Sequence, residues 1–516
     1  MNRRNFVKRI SLASLGAPFI VKGMAMEAVT KDLFNVPKTL GDRVLVIIRL
    51  NGGNDGLATL FPVDQYSQLV TQRQNILIPQ SNLLTLTSDN ALHPAMTGMR
   101  NLFNDNKLGI IQNVGYPEQN RSHFRSMDIW TSGAMALSET RGWLGKFLDG
   151  THDTFPEGYP NDDYPDPFAI SMGYEVTATC QGIRANYSHS VVNPFENVNL
   201  PNPGAGNDGT YYGSHMEYLQ MIIDQTNAYG GQIRDAANAG NNLSSLYDNN
   251  NPLAKQLKNV ARMISGGLKT KIYVLDVGGF DTHDSQVQQG AVTLGTHTNL
   301  LKRVSDAVYA FQDDLRLLGI EQRVLGMTFS EFGRQIASNA SLGTDHGDAA
   351  PLFLFGSCVR SGIYGPNPII PNTVVNQAGL PMQVDFRDIY ASVLRDWFQA
   401  DEQEIQSLFE HEVIFHNIVG ECNLNVEAIK QREKVCMIYP NPCVENATLK
   451  LETGDEEVGI TIVDLNGRIV ANIYEGHLSP AVHHIEMNIM KLPRGSYRVQ
   501  IQRNSGSSSL QLMKVK

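Results

Sequence analysis

No two cysteines in this chain stand in Cys-x-x-Cys spacing. The five present, Cys180, Cys358, Cys422, Cys436 and Cys443, are scattered. That spacing excludes a zinc knuckle and a dense disulfide framework. Cys436 and Cys443 could pair only in an oxidising compartment. A basic stripe is also missing: 42 Lys and Arg face 52 Asp and Glu, for a net charge of -10. Nucleic acid is therefore not an expected partner, because neutralising phosphates needs clustered cations. No apolar run reaches the about 20 residues that cross a bilayer, so no stable membrane span is expected. What is plentiful is hydrophobic content, 42% of 516 residues. That suffices for one large domain with a small companion, or for several domains of about 150 residues each.

The two ends differ in texture from the middle. "MNRRNFVKRISLASLGAPFIVKGMAM" joins a basic start to a short apolar run, then to the small residues Gly23 and Ala25 that suit a signal peptidase. Arg3, Arg4, Phe6 and Lys8 resemble the twin-arginine signal, so residues 1–26 are expected to direct export of an already folded chain. The alternative is an ordinary secretory signal. At the other end, residues 421–435 read as a linker, and residues 436–516 alternate apolar and polar positions around an Asn466-Gly467 turn. That pattern predicts a small antiparallel β-sandwich. "YPNP", "DLNGR", "LPRGSYRV" and "MKVK" occur there in order and resemble the type IX secretion sorting domain. The resemblance implies transport to the cell surface or beyond, with export machinery as a partner at both termini. A sandwich that binds carbohydrate is the alternative.

Residues 42–420 form the main body. "RVLVIIRL" (Arg43 to Leu50), "KLGIIQNV" (Lys107 to Val114), "KIYVLDV" (Lys271 to Val277), "RVLGMTF" (Arg323 to Phe329) and "PLFLFG" (Pro351 to Gly356) have the apolar texture of buried parallel strands. Between the third and fourth, Leu300, Leu301, Val304, Val308, Phe311 and Leu315 share one helical face that ends at Gly319. Alternating strands and helices predict an α/β fold with a doubly wound, mostly parallel sheet and ligands at its carboxyl edge. Residues with metal-ligand chemistry adjoin every run: Asp55 after the first, Arg121, Ser122 and His123 after the second, Asp281 and His283 after the third, Glu331 after the fourth, and Asp345 and His346 before the fifth. Carboxylates and imidazoles converging on one edge repel unless positive charge lies between them, and a divalent cation is the simplest remedy. Residues 187–267 read as a loop and helix inserted before the third strand, and are expected to cap the cleft.

"RLNGGNDGL", "NRSHFRSMDIW", "GGFDTHDSQ", "SEFGRQIASN", "GTDHG" and "VDFRDIYASVLRDW" together resemble the domain of unknown function 1501 family, relatives of the alkaline phosphatase and sulfatase superfamily. The resemblance implies a sheet of alkaline phosphatase type and metal-dependent hydrolysis of phosphate or sulfate esters, on a small molecule or a glycan. It implies Asp55, Asp281, His283, Glu331 and His346 as metal ligands, with Zn, Mn or Fe as the ion. Ser122 beside His123, or a water, would be the nucleophile, and Arg121 or Arg334 would bind the ester oxyanion. Asp345 is assigned to the turn. The chain departs from the superfamily pattern at Asn51, Gln119 and Phe332, where an acid, a hydroxyl nucleophile and an imidazole are usual. A non-catalytic surface protein of the same fold, binding glycan or a protein partner, is the alternative function.

Overall fold

The computed structural model describes residues 20–21, 24–25, 42–196, 199–201, 209–420, 436–453, 455–464, 468–479, 481–503 and 506–515. The twin-arginine residues, the linker 421–435 and the Asn466-Gly467 turn lie outside them. The chain divides into two compact units, Met1–Cys422 and Asn423–Lys516.

The first unit is built on a nine-stranded sheet. Its strands are β1 (Val44–Leu50), β2 (Leu108–Gly115), β3 (Ala169–Ser171), β4 (Ser188–Ser190), β5 (Ile272–Val277), β6 (Val324–Phe329), β7 (Ala350–Phe355), β8 (Gly362–Tyr364) and β9 (Val384–Asp385). They lie in the order β8-β2-β7-β6-β1-β5-β3-β4, with β9 also paired to β2. Alternation within β1 shows why the sheet is doubly wound. Val46 and Ile48 enter one core with Leu257, Val308 and Phe311, while Leu45 and Ile47 enter the other with Trp130, Tyr390 and Trp397. Successive strand side chains point to opposite faces, so β-branched residues at both parities require cover on both sides. Burying each such side chain contributes about 1.5–3 kcal/mol.

All five expected strands are present, but β7 is not parallel. It pairs antiparallel with both β6 and β2. The reversal has a consequence for the site. The segment that precedes β7 arrives at the same sheet edge as the segments that follow β1, β2, β5 and β6, which is how Asp345 and His346 come to join residues that follow their strands.

Helix α1 (His123–Ser132) starts at that edge after β2. Helices α2 (Tyr211–Ala239) and α3 (Pro252–Ser265) precede β5, and α4 (Thr296–Leu317) follows it. The expected apolar face of α4 is buried throughout. Helix α5 (Phe386–Asp396) packs on the opposite face of the sheet. For residues 242–264 the cap expectation fails on position. Residues 242–247 hydrogen-bond through Asn242, Leu243, Ser244 and Tyr247 to Asp314, near the C-terminal end of α4. At 1.5 Å per residue that is about 27 Å along the helix from the edge where α4 begins. Leu257, Val260 and Ile264 of α3 meanwhile fill the core beneath the sheet.

The second unit contains a three-stranded and a four-stranded antiparallel sheet. Leu449, Leu451 and Met487 of one share a core with Ile460, Val499, Ile501 and Leu512 of the other, as a sandwich requires. Cys443 is free, so the Cys436–Cys443 pairing does not form. Cys358, in the first unit, is disulfide-bonded.

Candidate metal centre

Four side chains converge at the carboxyl edge of the sheet: His123, Asp281, His283 and His346. Asp281 and His283 flank Thr282 on the loop after β5. The alternation turns Thr282 inward, where its hydroxyl meets Gln286, and leaves its neighbours facing the cleft. The loop before β7 lies against this segment through Thr344 N–H to the Thr282 carbonyl, 3.1 Å. Gly343 permits the approach, since a Cβ there would clash with the His283 carbonyl. His123 opens α1.

The distances are those of a ligand shell. His346 Nε2 and His283 Nε2 lie 3.0 and 3.1 Å from Asp281 Oδ1, and 2.9 Å from each other. His123 Nε2 is 3.4 Å from Asp281 Oδ2. Ligand atoms on a tetrahedral ion with bonds of 2.0–2.1 Å are spaced by about 3.3 Å. One atom each from His123, Asp281 and His346 falls within a 4.8 Å span, the reach of a single ion, and His283 adjoins that set through His346 Nε2 and Asp281 Oδ1 without belonging to it.

The opposite edge of each ring decides which nitrogen faces the cluster. His346 Nδ1 lies 2.8 Å from the Arg121 carbonyl, an oxygen that can only accept. The proton therefore sits on Nδ1, and Nε2 presents its lone pair. His283 Nδ1 meets Asp345 Oδ1 at 2.8 Å, and His123 Nδ1 meets Glu331 Oε1 at 2.8 Å. Three imidazoles, each with Nδ1 bound to an outer acceptor and Nε2 turned inward, match the second-shell arrangement of metal-binding histidines. Two lone pairs 2.9 Å apart repel without a cation or a proton between them. Burial lowers the His346 pKa, which works against a proton. Asp281 stays charged: burial pushes its carboxyl up, but opposing effects led by the Arg334 hydrogen bond bring it down to about 2. The donor set fits a divalent transition ion.

Several expected residues take other positions. Asp55 is fully buried, and both its oxygens accept from Arg73 Nη1 at 3.0 Å while Gln286 Nε2 donates to Oδ2 at 2.6 Å. Its lone pairs are occupied, which leaves it outside the cluster. Burial raises its pKa, and the Arg73 and His297 charges together with the hydrogen bonds from Gln286 and Arg73 more than offset that. Glu331 is also buried. It accepts from Gly52 N–H at 2.8 Å and faces His123 Nδ1 through the same Oε1, which places it behind the cluster. Arg121 clasps Asp348 through Nε and Nη2 at 2.9 and 2.8 Å and gives Nη1 to the Gln377 carbonyl. Arg334 is buried behind Asp281. Arg334 has no exposed side-chain surface from which to meet an oxyanion, whereas Arg121 stays partly exposed and lines the neighbouring cleft. Ser122 is the exposed N-cap of α1 and its hydroxyl makes no cap bond. Phe332 fills the floor, with its ring centroid 4.8 Å from that of His123 and 4.6 Å from that of His346.

Two supporting groups escaped the sequence reading. Asp345 is the acceptor for His283, and its adjacency to His346 was the available signal. The Arg121 carbonyl had none, because a backbone oxygen carries no residue-type mark. Beside the cluster, Tyr116, Glu118, Gln119, Arg121, Asp348 and Met382 line a cleft of about 530 Å³.

No curated protein matches the chain significantly in sequence. Among solved structures, a Vibrio parahaemolyticus protein of the alkaline phosphatase superfamily is 10% identical, with 95% of this chain and 88% of that one covered and a TM-score of 0.33. A Pseudoalteromonas sulfatase is 9% identical (87% and 84% covered, TM-score 0.33), and a phosphonate monoester hydrolase from Silicibacter pomeroyi is 8% identical (91% and 89% covered, TM-score 0.32). Likeness of that degree leaves the chemistry of the site to its own residues. Residues 437–515 match the secretion system C-terminal sorting domain, which marks the chain for export to the cell surface or extracellular space. Among the described residues no helix is long and apolar enough to cross a membrane. Residues 42–409 match the family described as protein of unknown function DUF1501, and to that family the chain belongs.

Proposed function

We propose that this protein is an exported, metal-dependent hydrolase of phosphate or sulfate esters, acting on a small molecule or a glycan. The observation that carries the reading is the convergence of three Nδ1-anchored imidazoles on Asp281. His123, His283, His346 and Asp281 would hold the ion, and Zn, Mn or Fe suits nitrogen-rich donors of this kind. Such an ion supplies Lewis acidity toward an ester oxygen or a water.

The chain's own groups do the positioning. Glu331, Asp345 and the Arg121 carbonyl keep a proton on each Nδ1, so the inward nitrogens stay neutral and cannot swing away. Phe332 excludes water from beneath the His123 and His346 rings. Asp281 is 45% exposed and His283 44%, so one side of the cluster opens to solvent, and the adjoining cleft offers a substrate room beside it.

One observation favours a non-catalytic reading. Ser122 makes no bond through its hydroxyl to the helix it caps and Arg334 is fully enclosed, so two expected partners of ester chemistry are not poised for it. Assay of the purified full chain on chromogenic sulfate and phosphate esters separates the two. The hydrolase reading expects turnover that chelation abolishes and added Zn, Mn or Fe restores. A fully loaded protein with no turnover on either ester makes it a binding protein.

A further inference from the structure

Arg334 is the most completely enclosed charge beside the cluster, with none of its side chain exposed. Its Nε donates to the Gly53 carbonyl at 2.8 Å and Nη1 to the Thr344 carbonyl at 2.9 Å. Nη2 reaches the Phe280 carbonyl at 3.0 Å, the Gly52 carbonyl, and Asp281 Oδ1 at 2.7 Å. Five oxygens from three loops, those after β1 and β5 and the one before β7, thus surround a single positive charge. Four carbonyls and one carboxylate make the all-oxygen donor set that hard cations such as Ca²⁺ take in proteins. Here a guanidinium fills it, and a guanidinium can be neither chelated nor deprotonated at any ordinary pH.

We propose that Arg334 is a built-in cation standing in the place of a second metal ion, so that the centre takes one exchangeable divalent ion per chain. Asp281 bridges the two charges through Oδ1, which faces Nη2 on one side and the His283 and His346 nitrogens on the other. Two buried carboxylates near the centre are closed to a second ion: Glu331 accepts from Gly52 and faces His123, and Asp55 is held by Arg73 and Gln286. This inference rests on the metal reading above for the position of the exchangeable ion.

Native mass spectrometry of the full chain, titrated with Zn²⁺ or Mn²⁺, tests it. One ion at saturation is expected, and two would overturn the proposal while leaving the metal centre standing. A chain that binds none sinks the metal reading itself, and this proposal with it. Arg334→Ala exposes the five oxygens. It should take up a second equivalent in the presence of Ca²⁺, and its Tm should rise with millimolar Ca²⁺ or millimolar guanidinium but not with urea at the same concentration. Arg334→Lys keeps the charge and should stay at one ion. An Arg334→Ala protein that folds yet responds to neither cation contradicts the stand-in role. If that variant does not fold, the wild-type stoichiometry decides.

Discussion

At His346 the ring is fixed from outside by the Arg121 carbonyl, so its inward nitrogen is committed to whatever occupies the cluster. His346→Ala removes that donor, and metal content after desalting should fall at least about tenfold. Asp345 differs from the turn residue expected of it, because it anchors His283. Asp345→Ala should therefore weaken metal affinity by about 10–100-fold in a chelator competition, and Asp345→Asn, which keeps an acceptor oxygen, should weaken it less. Equal affinities in wild type and Asp345→Ala would return Asp345 to the turn. A second prediction concerns His297, which is buried beside Asp55. Burial lowers its pKa to about 4, the Asp55 charge opposes this, and the Arg334 and Arg73 charges reinforce it. In the unfolded chain the ordinary value is about 6.5. As pH falls, the unfolded chain protonates first, so the stability that neutral His297 contributes is complete above about 6.5 and is lost as pH drops through about 4. The amount is of order 3 kcal/mol. Melting of chelated protein between neutral pH and pH of about 4 should show a shallower decline for His297→Gln than for wild type. Parallel curves would remove His297 as the cause.

Strands and loops assign these side chains their places. Gly52 has φ of +121°, and a Cβ there would clash with the Asp281 amide nitrogen. Gly52→Ala should displace the Asp281 loop and lower metal affinity at least about tenfold, read in the same competition, with loss of Tm as a second effect. Unchanged affinity would show that the loop can yield elsewhere. Deleting residues 241–251 works on the far side of the sheet. It removes the groups bound to Asp314, so it should cost stability and leave metal content unchanged. Loss of metal on that deletion would revive the cap. The sequence made the five strands legible because each is a short buried run such as "VLVIIRL", and it made α4 legible through its apolar spacing. It carried no mark of direction for β7, since an apolar run reads the same in either sense and only pairing with β2 and β6 decides. His123, Asp281, His283 and His346 were legible as ligand-type residues at strand ends. Asp55 and Glu331 looked equivalent to them. What separates the two groups is burial and the partners Arg73, Gln286 and Gly52, which sequence separation hides.

Considered whole, the molecule is two units with separate cores, one carrying the cluster and one carrying the address. A chain ending at Asn425 should melt cooperatively and keep its ion, because Leu449, Ile460 and Val499 of the sandwich contribute nothing to the cores of the first unit. Insolubility of that chain, or an empty centre within it, would make the sorting domain structural. The most direct test of the centre is anomalous diffraction at the zinc edge from crystals of the full chain grown with Zn²⁺. One peak is expected among His123, His283 and His346 Nε2 and an Asp281 oxygen, at about 2.0–2.2 Å from its donors. No peak there, or a peak ligated by Asp55 or Glu331, would contradict that expectation.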